Sequence, residues 1–200
     1  MTLKIDGGIL AGGLARRMGG KNKGLALYRG QPMIQSIAFA MRPYVQQLLI
    51  NCNRDSDAIA QYCDITVTDA IAGFHGPLAG IHALLCASNA DYVLISSCDT
   101  PLLNEHYAQT MLKALAQDTN ETSQAPAAYY ANCNGVSQPT HLLISTALSR
   151  SLGKRVQQNK LRALEWLQDI EAVAVSFDDE TLFYNVNSTA ELSMSPSRSH

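Results

Sequence analysis

Short apolar runs alternate with longer stretches of helical spacing as far as residue 117, and that alternation restricts the fold more than any other feature of the chain. The segments "KIDGGIL", "VQQLLINCN", "CDITVTD" and "DYVLISSCDTP" have the length and composition of strands. Between them, "PMIQSIAFAM" places Pro32 at a first helical position and "SDAIAQYC" makes a short helix. "GPLAGIHALLCAS" opens a helix at Gly76-Pro77, and "NEHYAQTMLKALAQ" starts one at the cap residue Asn104. Strands and helices repeating in this way predict an α/β fold, with a mostly parallel central sheet covered on both faces. Further on, residues 118–125 are polar and read as a loop, and Asn134-Gly135 suits a hairpin turn. Helices are expected around 145–152 and 159–168, followed by the strands "EAVAVSF" and "TLFYNVN". Residues 1–192 are expected to form a single domain, and the Ser-rich end, 193–200, to be a disordered tail.

Charge narrows the function. The net charge of the 200 residues is −2, which argues against a nucleic-acid partner. Its distribution is uneven: seven Lys or Arg and no acid lie between Asp6 and Asp55, a local positive potential suited to a compact anion. The five cysteines are odd in number and none forms a C-x₂-C pair, so reduced thiols and a cytoplasmic setting are expected. No apolar run approaches the length of a membrane span, and no membrane contact is expected.

The cationic region begins with "GGILAGGLARRMGGKNKG", residues 7–24, where a strand runs into glycines and then Arg16, Arg17, Lys21 and Lys23. Backbone amides approach phosphate oxygens closely only where side chains are absent. Two familiar phosphate loops are excluded. A Walker A loop needs glycine where Ala15 precedes Gly20-Lys21, and Ser or Thr where Asn22 follows; the dinucleotide pattern G-x-G-x-x-G is absent from the stretch. What remains is L-A-G-G-x₃-R-M-G-x₃-K, carried by Leu10, Ala11, Gly12, Gly13, Arg17, Met18, Gly19 and Lys23. It resembles the signature loop of the nucleoside-triphosphate transferases, in which the loop wraps a triphosphate that Arg and Lys neutralise.

Nucleotidyl transfer needs a cation against the charge that grows on the α-phosphate and the leaving pyrophosphate. In open α/β sheets its holder belongs at the C-terminal end of a parallel strand, which is where Asp99 falls. A lone carboxylate suits magnesium, which keeps most of its waters; a plain strand-end cap is the other use of such an Asp. Asn185 and Asn187, two apart on an expected strand, face one side and could bind metal or phosphate, or one could cap a helix starting near Ser188. His82 sits in an apolar helix pattern and reads as a packing residue, and Cys98 as core.

The segments "LAGGLARRMGGKNKG", "INCNR", "VTDAIAGFHGPLAGI", "SSCDTP", "QPT" and "YNVNSTAEL", in that order, closely resemble the molybdenum cofactor guanylyltransferases over about residues 5–192. The resemblance implies a Rossmann-like, three-layer α/β/α nucleotidyltransferase fold and magnesium dependence. It implies transfer of GMP from GTP to molybdenum-bearing molybdopterin, with pyrophosphate released. Carried onto this chain, it gives GTP contacts to Leu10, Ala11, Gly12 and Gly13 in the loop, with Gly20 and Arg17 completing it and Lys23 on the phosphates. Asn51 and Asp69 match GTP-binding positions, and Asp99 matches the position that binds nucleotide and metal. Gly76, Asn185 and Asn187 match positions associated with substrate or catalysis, and the pterin site is expected near Pro139 and the Asn pair. Arg17, Lys23 and Asp99 are thus the expected catalytic residues. One departure shows: many relatives have Asp before the loop lysine, where this chain has Asn22. Transient contacts with molybdoenzymes, their chaperones or cofactor-synthesis proteins are also implied. The competing expectations are CTP or another phosphorylated acceptor in place of these substrates, and a non-catalytic carrier of cofactor.

Overall fold

The computed structural model of the chain describes residues 3–13, 22–71, 76–121 and 125–187. Strand β1 (Ile5–Leu10) is followed by a small hairpin of β2 (Leu27–Tyr28) and β3 (Gln31–Pro32), then helix α1 (Met33–Met41). Next come β4 (Leu48–Asn51), α2 (Ser56–Ala60), β5 (Ile65–Val67), α3 (Gly76–Ala87), β6 (Tyr92–Ser97) and α4 (Glu105–Glu121). The remainder is β7 (Ala128–Cys133), β8 (Val136–Ser145), α5 (Ser149–Gln157), α6 (Ala163–Asp169) and β9 (Val173–Phe177).

Seven strands make one sheet in the order β5-β4-β1-β6-β8-β7-β9. Only β8 runs against its neighbours, β6 and β7; the other pairings are parallel. The hairpin joining β7 and β8 turns at Asn134 and Gly135, both with positive φ (49° and 84°), as a tight turn matched to strand twist requires. Strand periodicity sorts the core into two layers. Ile9, Ile50 and Leu94 face α1 and α4, where Ile37, Met41, Tyr107 and Met111 meet them. Leu10, Leu49, Val93 and Ile95 face the opposite way, onto α3, α5 and α6 through Leu84, Leu152 and Trp166. The three-layer α/β/α expectation holds.

Gly8 shows how closely the layers pack. A Cβ there would lie 2.9 Å from Leu84 Cδ1 on α3 and 3.1 Å from Val93 Cγ1 on β6, so the bare backbone lets the helix sit against the central strand.

Three local expectations fail. Pro32 ends β3 and precedes α1 instead of opening it. Residues 118–121 are helical: α4 continues through Asp118–Glu121 because a polar run on a solvent-facing end needs no apolar stripe. "TLFYNVN" is no strand; it is a 3₁₀ turn at Glu180–Phe183 followed by an extended segment. No described helix is long and apolar enough to cross a membrane. The tail 193–200 lies outside the described residues.

On the α1/α4 side of β8, His141 is 1% exposed and packs edge-on against Tyr107 and Phe183. Its Nε2 meets Thr100 Oγ1 at 3.1 Å. That hydroxyl also donates to Ser97 O (3.1 Å), so the imidazole is the donor between them and carries its proton on Nε2. Burial lowers the His141 pKa to about 4, against a smaller upward pull from Asp99, so the folded protein keeps the ring neutral. The unfolded chain takes up a proton near the ordinary value of 6.5, so stability is full above that pH and is lost as pH falls from 6.5 toward 4. The loss from this one group amounts to roughly 3 kcal/mol. Urea unfolding of wild type and His141→Leu at several pH values in this window should show a clearly shallower pH slope in the variant; equal slopes would remove His141 from the account.

Candidate active site

The C-terminal ends of β4, β1 and β6 meet at one edge of the sheet and open into a cleft of about 290 Å³. Its floor is the end of β1 and the first glycines after it. Gly12 is confined: a Cβ would come within 2.6 Å of Asn51 Oδ1. Among the described residues nothing lies within 4 Å of a Cβ built at Gly13 or at Gly76, whose φ of +62° at the start of α3 suits glycine. Gly80, one turn into α3, would put a Cβ 2.5 Å from Asn51 Oδ1, so α3 fits onto the strand ends only because that position lacks a side chain.

Where the chain is described again after the glycine loop, Asn22 is almost fully buried and acts as a clasp. Its Nδ2 donates to Ala11 O (3.0 Å) and its Oδ1 accepts from Gly24 N (2.9 Å). Its own backbone N–H donates to Asp55 Oδ2 (2.9 Å). The clasp needs both a donor and an acceptor, which an amide has and a carboxylate lacks. Asp55, exposed beside it, would also repel a carboxylate at position 22.

The clasp delivers Lys23 to the cleft. Lys23 Nζ donates to Asp99 Oδ2 (2.7 Å) and to Asn187 Oδ1 (2.8 Å), and each side chain of the ion pair is 19% exposed. Ser97 Oγ donates to the other Asp99 oxygen (2.6 Å). With its amide nitrogen turned toward the carboxylate, Asn185 also donates to Asp99 Oδ1 (2.7 Å). Asn185 and Asn187 converge here without a strand because Val186, between them, is pinned. Its N–H bonds to Asp99 O (2.9 Å), and its side chain is buried against Tyr28 and Met33.

On the other side of Gly12, Asp69 stands two residues beyond β5. Asn51 Nδ2 donates to its Oδ1 (2.9 Å) and Asn53 Nδ2 to its Oδ2 (2.8 Å). Each carboxylate oxygen keeps further acceptor capacity on the cleft side.

Leu10, Gly12, Gly13 and Lys23 therefore line the cleft, as do Asn51, Asp69, Gly76 and Asp99. Ala11 lies behind it, with its N–H on Asn51 O (2.8 Å) and its carbonyl on Asn22. Pro139 does not line it; its neighbour Thr140 does. Arg17 and Gly20 lie outside the described residues. Sequence reasoning passed over Ser97, Asn53 and the clasp formed by Asn22. The N-x-N spacing in "INCNR" was the available signal for Asn53; a serine before Cys98 carries none. Cys98 is core, its thiol pushed up to about 12 by burial. His82 packs beside Gly153 as expected, but its buried Nδ1 has no hydrogen-bond partner.

The family model for the MobA-like NTP transferase domain matches residues 7–173. The molybdenum cofactor guanylyltransferase of Mannheimia succiniciproducens is 37% identical over 96% of this chain and 98% of its own. That of Shewanella putrefaciens is 38% identical over 96% and 95%. Among solved structures, molybdopterin-guanine dinucleotide biosynthesis protein A from Archaeoglobus fulgidus superposes with a TM-score of 0.70 over 94% of both chains at 17% identity. A CMP:2-keto-3-deoxy-manno-octonic acid synthetase complexed with CTP does so with a TM-score of 0.71 over 94% and 95% at 13% identity. These two share the fold.

Asn22→Asp should lower stability by about 1–3 kcal/mol, through the lost bond to Ala11 O and the charge placed beside Asp55. Adding Asp55→Asn should restore part of it, read as urea midpoints across the double-mutant cycle. An Asn22→Asp protein as stable as wild type would contradict the clasp.

Proposed function

The chain belongs to the MobA-like NTP transferase family, and from that premise we propose that it transfers GMP from GTP to molybdenum-bearing molybdopterin, forming the molybdopterin guanine dinucleotide cofactor and pyrophosphate. The observation that carries this function is the meeting of Lys23 and Asp99 at the mouth of a side-chain-poor turn, with Asn185 and Asn187 closing on the same carboxylate and ammonium. We take residues 1–192 as one catalytic domain.

The acceptor's terminal phosphate is already an anion at neutral pH. Its oxygen forms the new bond to the α-phosphorus of GTP, and the bond from that phosphorus to the β-bridging oxygen breaks, releasing pyrophosphate. A strong base is not needed; positioning and charge neutralisation are. Lys23 follows the charge: as the triphosphate enters, its ammonium exchanges Asp99 for phosphate oxygens. Arg17 is proposed to add a second cation on the pyrophosphate side.

The oxygens gathered around Lys23 and Asp99 are one carboxylate, the Ser97 hydroxyl and the Asn187 amide oxygen. Among the described residues no three His, Cys, Asp or Glu cluster as metal ligands. Hard oxygen donors of this kind fit Mg²⁺, which Asp99 would hold with the Asn187 oxygen near it. When bound it would neutralise charge on the α-phosphate and the leaving pyrophosphate.

Asp69 favours GTP over CTP. Guanine presents two adjacent N–H donors on its pairing edge, N1–H and the N2 amino group, which one carboxylate accepts together. Cytosine and adenine each set an acceptor beside their single amino group and would meet the carboxylate with repulsion. The pterin is proposed to bind on the side of Thr140, Asn185 and Asn187. Contacts with molybdoenzymes or their assembly proteins are transient in this scheme. The free thiols of all five cysteines agree with a cytoplasmic setting.

Incubation with Mg²⁺, GTP and molybdenum-loaded molybdopterin, followed by mass identification, should yield the guanine dinucleotide, while CTP yields no cytosine product. In the same pyrophosphate-release assay Asp99→Ala should lose about 10²-fold or more of kcat, the scale of a principal electrostatic stabiliser. Near-normal magnesium-dependent turnover in that variant would remove Asp99 from its role.

A further inference from the structure

We infer that Asn53, a residue outside the cleft wall, is the positioning residue that makes this site selective for guanine, acting through Asp69; the inference rests on Asp69 as the base reader. A carboxylate that accepts two parallel N–H donors must hold its plane, because rotation about its Cβ–Cγ bond trades one good bond for none. Nothing in Asp69 itself supplies that hold: it stands on a loop two residues past a three-residue edge strand.

Asn53 supplies it twice. Its Nδ2 donates to Asp69 Oδ2 at 2.8 Å, and its Oδ1 accepts from the Asp69 backbone N–H at 3.0 Å. One side-chain amide therefore fixes both the main chain and the carboxylate of the same residue. The same Nδ2 lies 3.4 Å from Gly12 O, tying the base-reading residue to the turn that cradles phosphate. The other oxygen is held from the opposite side by Asn51 Nδ2 at 2.9 Å, which also reaches Val67 O at 3.3 Å. The two oxygens are thus restrained by different residues. Turning the carboxylate breaks both bonds at once, and the lone pairs facing the cleft stay side by side.

Asn51 lines the cleft; Asn53 is exposed and is not among the residues that line it. Losing Asn53 therefore removes no contact with nucleotide. It loosens the plane of Asp69 and weakens only those ligand groups that need the plane. Guanine needs it most. Hypoxanthine, which keeps N1–H and lacks the N2 amino group, satisfies a carboxylate in more orientations and needs it less.

The test is calorimetric binding of GTP and inosine triphosphate, each with Mg²⁺, to wild type, Asn53→Ala, Asn53→Ser and Asp69→Asn. Asn53→Ala should weaken GTP about tenfold, the scale of one hydrogen bond to a charged group. It should leave inosine triphosphate nearly unchanged, so the ratio of the two Kd values narrows about tenfold. Asn53→Ser, with a shorter donor, should recover part of that ratio. Equal weakening of both nucleotides, or no weakening of either, would overturn the positioning role. Asp69→Asn separates the two claims. If it narrows the ratio while Asn53→Ala does not, Asp69 reads guanine without help and the inference fails alone. If it leaves the ratio untouched, the base-reading role fails and the inference falls with it.

Discussion

The contact between Lys23 and Asp99 is the constraint on which the site depends, because it joins the exit of the glycine loop to the end of β6 across 76 positions of chain. Its contribution to stability is small. Both groups are largely withdrawn from water, and the cost of that withdrawal offsets most of the attraction between them. Its effect is on placement. An ammonium on a flexible four-carbon stem could sample a wide volume; tied to Asp99 and Asn187 it occupies one point at the mouth of the cleft. The described residues on either side of the glycine loop are tied together, by the Lys23 contact and by the hydrogen bonds of Asn22 to Ala11 and Gly24.

That placement is possible because of the order of strands. β1 lies between β4 and β6, parallel to both, so Leu10, Asn51 and Ser97 end at one level and their loops must share one edge. The reversed strand β8 starts near the same edge and runs away from it, which sets Thr140, in its first half, on the cleft, with His141 directed into the core behind it. The final described segment returns to close the site without joining the sheet. A single backbone bond from Val186 to Asp99, backed by burial of Val186, sets two asparagine amides against one carboxylate and one ammonium. The layers around this edge are conventional; what is particular to the chain is how few side chains are allowed near it. Gly12 and Gly80 both leave room for the same atom, Asn51 Oδ1.

The alternation of apolar runs with helical spacing was enough to read the sheet, its helical layers and the edge where the site lies. Lys23 was legible from the spacing of the glycine loop, Asp99 from its place at the end of a buried strand, and Asp69 only through the family resemblance. The misreadings share a cause. "TLFYNVN" has strand composition, yet its apolar residues are buried by a 3₁₀ turn and by packing on the β2/β3 hairpin, contacts distant in sequence. Residues 118–121 look like a loop because a helix end in solvent carries no periodic signal. Asn22, Asn53 and Ser97 were illegible for a different reason. Each acts through hydrogen bonds that the folded geometry selects, and a polar side chain in a sequence shows neither its partner nor its direction.

The distribution of histidines supports catalysis by charge neutralisation. Among the described residues no histidine lines the cleft. The one closest to the site along the hydrogen-bond network, His141, meets it through Thr100 and the backbone of Ser97 at Nε2 and through Thr140 Oγ1 (3.4 Å) at Nδ1. Burial holds that ring neutral and 1% exposed, with both ring nitrogens against threonine hydroxyls, so it lacks the access that a general base for an incoming nucleophile would need. A reaction between two phosphates removes the need, since the attacking oxygen carries its charge beforehand. What the site must overcome is repulsion between anions. The groups gathered at the sheet edge are suited to that: a lysine held between a carboxylate and an amide oxygen, a second amide on the same carboxylate, and a backbone stripped of side chains beside them.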